Sequence, residues 1–241
     1  MERTPVSFGP GVFLIYGGSM AEKIFKTLDD LVDLLKERGV DIPDASSRDY
    51  AKRVLEKHGY YNLVNGYNKL FLDSKAETVK YRTGTTMNEI NALYQFDRVL
   101  RDIFFRYILG AETHVKSLIS YYFSEAHGHK NYLVYTNFNT ALRDSESKIT
   151  SLIAEIQRQT ATHSNDPSIS HYLKTHGYIP LWVLNNILTL GTISKFYSLM
   201  LPQERQNISR CFNIMDKELE SALTYISTVR NFCAHGNRIY C

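Results

Sequence analysis

The segment TVRNFCAHGNRIY, near the end of the chain, carries Arg230, Asn231 and His235 within the last turns of an expected helix. Arginine supplies a fixed cation, histidine a group that titrates near neutral pH, and asparagine an amide able to orient an imidazole. Asn231 and His235 are an i,i+4 pair and share a helical face, while Arg230 lies on a neighbouring face and is long enough to curl toward it. Phosphodiester transfer in RNA uses such parts. A histidine takes a proton from the ribose 2′-hydroxyl or gives one to the leaving oxygen, and an arginine stabilises the charge growing on the phosphate. Neither step needs a metal, the sequence offers no obvious metal-ligand cluster, and no cofactor is expected. A purely structural reading stands beside this one, because Arg and His near a helix C-terminus are favoured by the macrodipole and so short a spacing is common by chance. On spacing alone the structural reading is the stronger.

The helix that must present these residues is expected to start at Asp216, with Glu218 and Glu220 favourable in its first turn. Leu219, Leu223, Ile226 and Cys233 recur at helical spacing, which puts Arg230 on or beside the apolar stripe. An unpaired guanidinium is strongly disfavoured there, so Arg230 should meet a carboxylate, carbonyl groups, a subunit partner or a bound phosphate. The structural reading predicts saturation by an internal carboxylate, such as one on the long central helix. A catalytic reading instead needs His235 accessible and facing an arginine or a second His235.

Helical periodicity dominates the remaining sequence, and no strand alternation or repeat is seen, so the fold class is all-α. KTLDDLVDLLKERG reads as a helix capped by Thr27 and stopped by Gly39, followed by a second helix over SSRDYAKRVLEKHG. YYNLVNGYNKLF reads as a docking turn. The longest periodic stretch opens with a capping box from Thr86 to Glu89 and carries Leu93, Leu100, Phe104, Ile108, Ala111, Val115, Leu118 and Tyr122 along one stripe, with Gly110 a candidate kink. Asp97 and Arg101, and Asp102 and Arg106, are i,i+4 pairs expected on a solvated face. A helix around SESKITSLIAEIQRQT, a short one over SISHYLKTHG, and an apolar one that begins near Pro180 and bends or restarts at Gly191 complete the path to the last helix. His127 and His129 suit a solvated turn, His114 a helix surface, and Trp182 core or interface.

The bulk numbers bound the function classes. A chain of 241 residues, 44% hydrophobic, can bury one sizeable core or a core with a smaller appended unit. A net charge of +3 permits contact with an anionic polymer without indicating one. Three cysteines, Cys211, Cys233 and Cys241, form no C-x-x-C pair and suit a reducing, cytoplasmic setting. No segment is apolar for long enough to span a bilayer, and no membrane partner is expected. The expected organisation is a tail over residues 1–19, disordered or an upstream extension, an N-terminal helical unit over 20–82 and a helical core over 83–241.

RNFCAHGNRIY resembles the Arg-Asn-x-x-Ala-His signature of the abortive-infection Abi proteins, the AbiD/AbiF-like group, whose Arg-x4–6-His motif places them in the HEPN superfamily. LYQFDRVLRDIFFRYILGAETHVKSLISYYF resembles that family's long central helix, and IPLWVLNNILTLGTISKFYSLM its Pro-Leu-Trp-Val and Leu-x-x-Gly-Thr block. LVDLLKERGVDI and HGYYNLVNGYNKLF resemble its N-terminal portion, so the likeness runs from Ile24 to Tyr240. The resemblance implies a HEPN-like helical bundle, a role in phage defence, and a metal-independent endoribonuclease or toxin working as a homodimer with two motifs facing one cleft. It gives Arg230 the scissile phosphate, His235 general acid or base work and Asn231 an orienting role, with 2′,3′-cyclic phosphate ends as product. Arg238 and Tyr240 become candidate RNA contacts through phosphate and stacking respectively. RNA is the implied partner, as substrate or as a bound small RNA, and an antitoxin is a further one. The family pattern leads one to expect more helix after the motif than Cys241 allows. A different class of function, a non-catalytic module that binds RNA or a phage component with Arg230 as anchor, is the alternative.

Overall fold

The computed structural model describes residues 24–240; the expected tail over 1–19 lies outside them. The chain divides into two compact units at Asn91/Ala92, each described by itself.

In the first unit, α1 (Leu28–Glu37) starts at a reciprocal capping box between Thr27 and Asp30, and α2 (Ala45–His58) at a similar one between Asp44 and Ser47. Two helices this short hold together by burying Val32 and Leu35 of α1 against Ala51, Val54 and Leu55 of α2. The expected docking turn is instead a π turn over Tyr61–Asn65 and a 3-10 turn over Asn68–Leu70, which bury Leu63, Val64 and Tyr67. Two isolated bridges, Asp41 to Thr86 and Leu72 to Tyr81, are the only extended pairing among the described residues, and the class is all-α.

The long helix α3 (Met87–His127) begins at the expected box, in which Thr86 and Glu89 exchange hydrogen bonds, and passes through Gly110 without interruption. Its apolar stripe is only partly buried. Ile108, Val115, Ile119 and Phe123 enter the core of the second unit, whereas Phe104, expected on the same stripe, is exposed. Over so many turns a straight helix drifts out of register with any fixed repeat, so one periodic row cannot face the same neighbour throughout.

Around α3 the second unit assembles α4 (Ser145–Thr162), α5 (Pro167–His176), α6 (Leu181–Leu184), α7 (Leu190–Leu199), α8 (Pro202–Arg210) and α9 (Asp216–Ala234). α7 packs against both α4 and α9, and α8 against α9. Phe123, Phe138 and Phe196 form an aromatic centre with ring centroids 4.9–5.5 Å apart. The apolar run expected to restart at Gly191 restarts two residues earlier, because Thr189 caps α7 through Thr192 N–H. Buried Gln159 of α4 fixes that restart by accepting from Thr189 N–H and donating to the Thr192 hydroxyl.

One expectation about a polar residue is corrected by burial. His127 is not in a solvated turn: its Nε2 lies 2.5 Å from Glu204 Oε1 of α8, where burial raises the Glu204 carboxyl above its ordinary range against the pull of the imidazole. Of the two placements expected for Trp182, core or interface, the first does not hold within this chain, where 51% of its surface is exposed. His114 is exposed as expected and leans on Phe212 with ring centroids 4.9 Å apart.

Candidate active site

α9 carries the motif, and local sequence explains how it is held. Met215 N–H donates to Glu218 at the helix start, so Asp216 is the first helical residue rather than the cap, and its carboxylate pairs with Arg205 at 3.1 Å. Leu219 and Leu223 are buried, with Ile226 and Val229 packed beside them, as the stripe required. The helix ends in a Schellman turn: Asn237 N–H donates to Phe232 carbonyl, Gly236 N–H to Cys233 carbonyl, and Gly236 takes a φ of +70°. His235 is the C-cap of that turn and is exposed. An added Cβ at Gly236 would meet no neighbour, so Gly236→Ala is expected to cost about 1 kcal/mol through backbone conformation alone. Chemical denaturation checks this, and Gly236→Asn should lose less because asparagine tolerates the left-handed region.

Arg230 turns inward. Its guanidinium lies 5.9 Å from the Phe105 ring centre, and its Nε stands 3.8 Å from Glu112 Oε2, both partners being on α3. The other oxygen of Glu112 is taken by Lys116 at 2.7 Å. An internal carboxylate on the long helix is therefore present, as the structural reading required, yet it does not saturate the arginine. Neither Arg230 Nε nor Glu112 Oε2 has a hydrogen-bond partner, and 33% of the arginine side chain is exposed. The guanidinium is held by charge and by the ring while its donors stay uncommitted.

Within one chain the motif residues are not assembled into one constellation. Five helical residues separate Arg230 from His235 by about 140° around the axis, and the arginine points to α3 rather than curling toward the histidine. Asn231 and His235 are both exposed and are joined by the backbone bond from His235 N–H to Asn231 carbonyl. Among the described residues no side-chain hydrogen bond links the two.

The residues after the motif fold back. Asp97 of α3 is fully buried, pairs with Arg101, and its Oδ1 accepts from Ile239 and Tyr240 N–H at 3.2 Å each. This corrects the expected solvated face for Asp97 and Arg101; Asp102 and Arg106 are exposed. Arg238 and Tyr240 are half-buried, and the Tyr240 hydroxyl is enclosed. Among the described residues no group of three or more His, Cys, Asp or Glu is placed to hold a metal ion.

A comparison with protein families matches the family described as Abi-like protein over residues 53–241, which takes in α3, Glu112 and the whole of α9. The chain belongs to the Abi-like protein family. No curated protein and no solved structure matches it. The match accounts for well over half of this Abi-like chain and includes Asp97, which ties the segment after the motif to α3. Among the described residues no helix is long and apolar enough to cross a membrane.

Proposed function

We propose that this Abi-like protein serves in phage defence as a HEPN-type, metal-independent endoribonuclease or toxin, with RNA as its substrate and two copies of the chain forming the cleft. The observation that carries the reading is Arg230: a partly exposed guanidinium, oriented by Glu112 and Phe105, with no hydrogen bond committed. Such a group is preorganised to receive the equatorial oxygens of a phosphate. His235 takes the proton of the ribose 2′-hydroxyl, the 2′-oxygen bonds to phosphorus, and the bond to the 5′-oxygen breaks with the proton returned by a second imidazole. The ends left are a 2′,3′-cyclic phosphate and a 5′-hydroxyl. The Asn231 amide, which makes no hydrogen bond to the His235 ring in the free chain, takes up its orienting role once RNA is bound, and Arg238 and Tyr240 contact the strand beyond the cut.

Dimerisation is supported by the exposed face of α9. Tyr225 and Phe232, exposed by 72% and 42%, lie seven residues apart with Thr228 between them and His235 three residues on. Pairing two copies through this row would bring one His235 beside the other, which supplies the acid and the base where a single chain offers one imidazole. The alternative, a binding module with Arg230 as anchor, is favoured by the separation of Arg230 from His235 within the chain.

The deciding experiment is incubation of single-stranded RNA with the purified protein in EDTA, followed by identification of the new ends. Cleavage leaving cyclic phosphate is expected; intact RNA that nevertheless co-elutes with the protein would transfer the assignment to the binding module.

A further inference from the structure

An open groove of about 890 Å³ runs along α3 from Leu109 to Glu125, roughly 24 Å at the helical rise, with Trp182 and Asn185 on its opposite wall. Near one end it takes in Glu112, the residue that faces Arg230, and its lining has a chemistry of its own. Trp182, the one tryptophan of the chain, is half exposed, Tyr121 is 60% exposed, and His129 sits 5.8 Å from Trp182, ring centre to ring centre. Three flat side chains are thus kept at the groove when burial elsewhere would remove them from water.

The polar wall holds buried atoms without a partner. Asn185 is only 4% exposed, and its amide N–H groups are spent on Lys116 carbonyl at 2.7 Å and on the Ser120 hydroxyl. Those two bonds fix the amide orientation and leave Asn185 Oδ1 buried without a partner. Glu112 Oε2 and Ser124 Oγ line the same groove and have no partner either. Buried acceptors left unmet are uncommon in native proteins and call for a group that donates to them.

We propose that this groove is a nucleobase-binding site, which rests on the reading of the protein as an RNA-binding enzyme and extends it. Bases stack on Trp182 and Tyr121, and exocyclic amino groups donate to the acceptors of Asn185 and Glu112. Adenine, cytosine and guanine carry such an amine and uracil does not, so the site disfavours U-rich strands. The backbone of the strand faces outward from a wall in which Glu112 is already neutralised by Lys116 and Glu125 accepts from the Tyr121 hydroxyl at 3.3 Å. The groove then leads the strand to Arg230.

Trp182 reports on its own occupancy, since no other tryptophan contributes fluorescence. The His235→Ala chain is titrated with end-labelled octamers of rA, rC and rU and with AMP, reading tryptophan quenching and, for the octamers, label anisotropy together. Quenching by rA and rC octamers well before rU is expected, and Tyr121→Ala should weaken that binding about tenfold or more, within the range for loss of one base stack. Tyr121 is exposed, so helical circular dichroism should be unchanged and a folding defect is separable from a binding one. Quenching by AMP but not by octamers keeps the nucleobase site and assigns it to a free nucleotide. Octamers that raise anisotropy without quenching Trp182, and bind equally to Tyr121→Ala, would overturn the groove while leaving RNA binding in place. Absence of both signals with every probe would remove both.

Discussion

Asp97→Ala is expected to destabilise the second unit by about 3–5 kcal/mol, the usual range for removing one member of a buried ion pair. The carboxylate does two jobs from a fully buried position, pairing with Arg101 and accepting the backbone N–H groups of Ile239 and Tyr240. The alanine variant removes both, so urea denaturation should show a lower midpoint at an unchanged slope. Asp97→Asn keeps an acceptor for the tail and loses the charge, and should fall between the two. Amide exchange localises the effect: protection at Ile239 and Tyr240 should vanish in Asp97→Ala under conditions where α7 remains protected. A loss below 1 kcal/mol, with the tail still protected, would show that Asp97 is not the tether.

That tether marks the limit of what the sequence makes legible. The i,i+4 spacing of Asp97 and Arg101 is visible in the chain, but the segment that buries them arrives from more than a hundred residues away, and only packing reveals it. Local signals fared differently. The capping boxes at Thr27 and Thr86, the stop at Gly39 and the stripe of α9 are short-range chemistry, and each is found where the spacing puts it. The helix α8 passed unread because its apolar content is low; its ties to the fold are Glu204 on His127 and Arg205 on Asp216 and Glu220, all of them long-range. For Trp182 the sequence leaves core and interface open. An apolar run predicts burial for every member, and nothing in PLWVLNN says that Leu181 and Leu184 face the core while Trp182 faces the groove. Within the candidate site, Arg230 and His235 are legible as chemistry, and a carboxylate for Arg230 was foreseeable from burial physics. Which carboxylate, and that it would leave the guanidinium uncommitted, depended on the register of α9 against α3.

Arg230→Ala separates the catalytic role from a purely structural one. The side chain is one-third exposed and Glu112 keeps Lys116 when the arginine is lost, so a stability change below about 1 kcal/mol is expected. Cleavage in EDTA should nevertheless fall by about 10²–10³, the range for deleting one preorganised stabiliser of transition-state charge. His235→Ala, at an exposed C-cap, should also preserve the fold and lower cleavage by roughly 10²–10⁴, as for loss of a general acid or base. Arg230→Lys keeps the charge and loses the planar fork, so it should recover only part of the rate. Glu112→Gln removes the charge that orients the guanidinium while leaving the arginine in place, so the turnover rate on a saturating RNA should fall, beside any loss of affinity from the groove that Glu112 also lines. The structural reading makes the reverse forecast, in which Arg230→Ala unfolds at markedly lower denaturant and His235→Ala changes nothing measurable; the binding-module reading forecasts that Arg230→Ala loses RNA binding with the fold intact. A wild-type activity that survives both substitutions would place the chemistry elsewhere in the protein, since neither the charge on Arg230 nor the titrating ring of His235 has a substitute on α9.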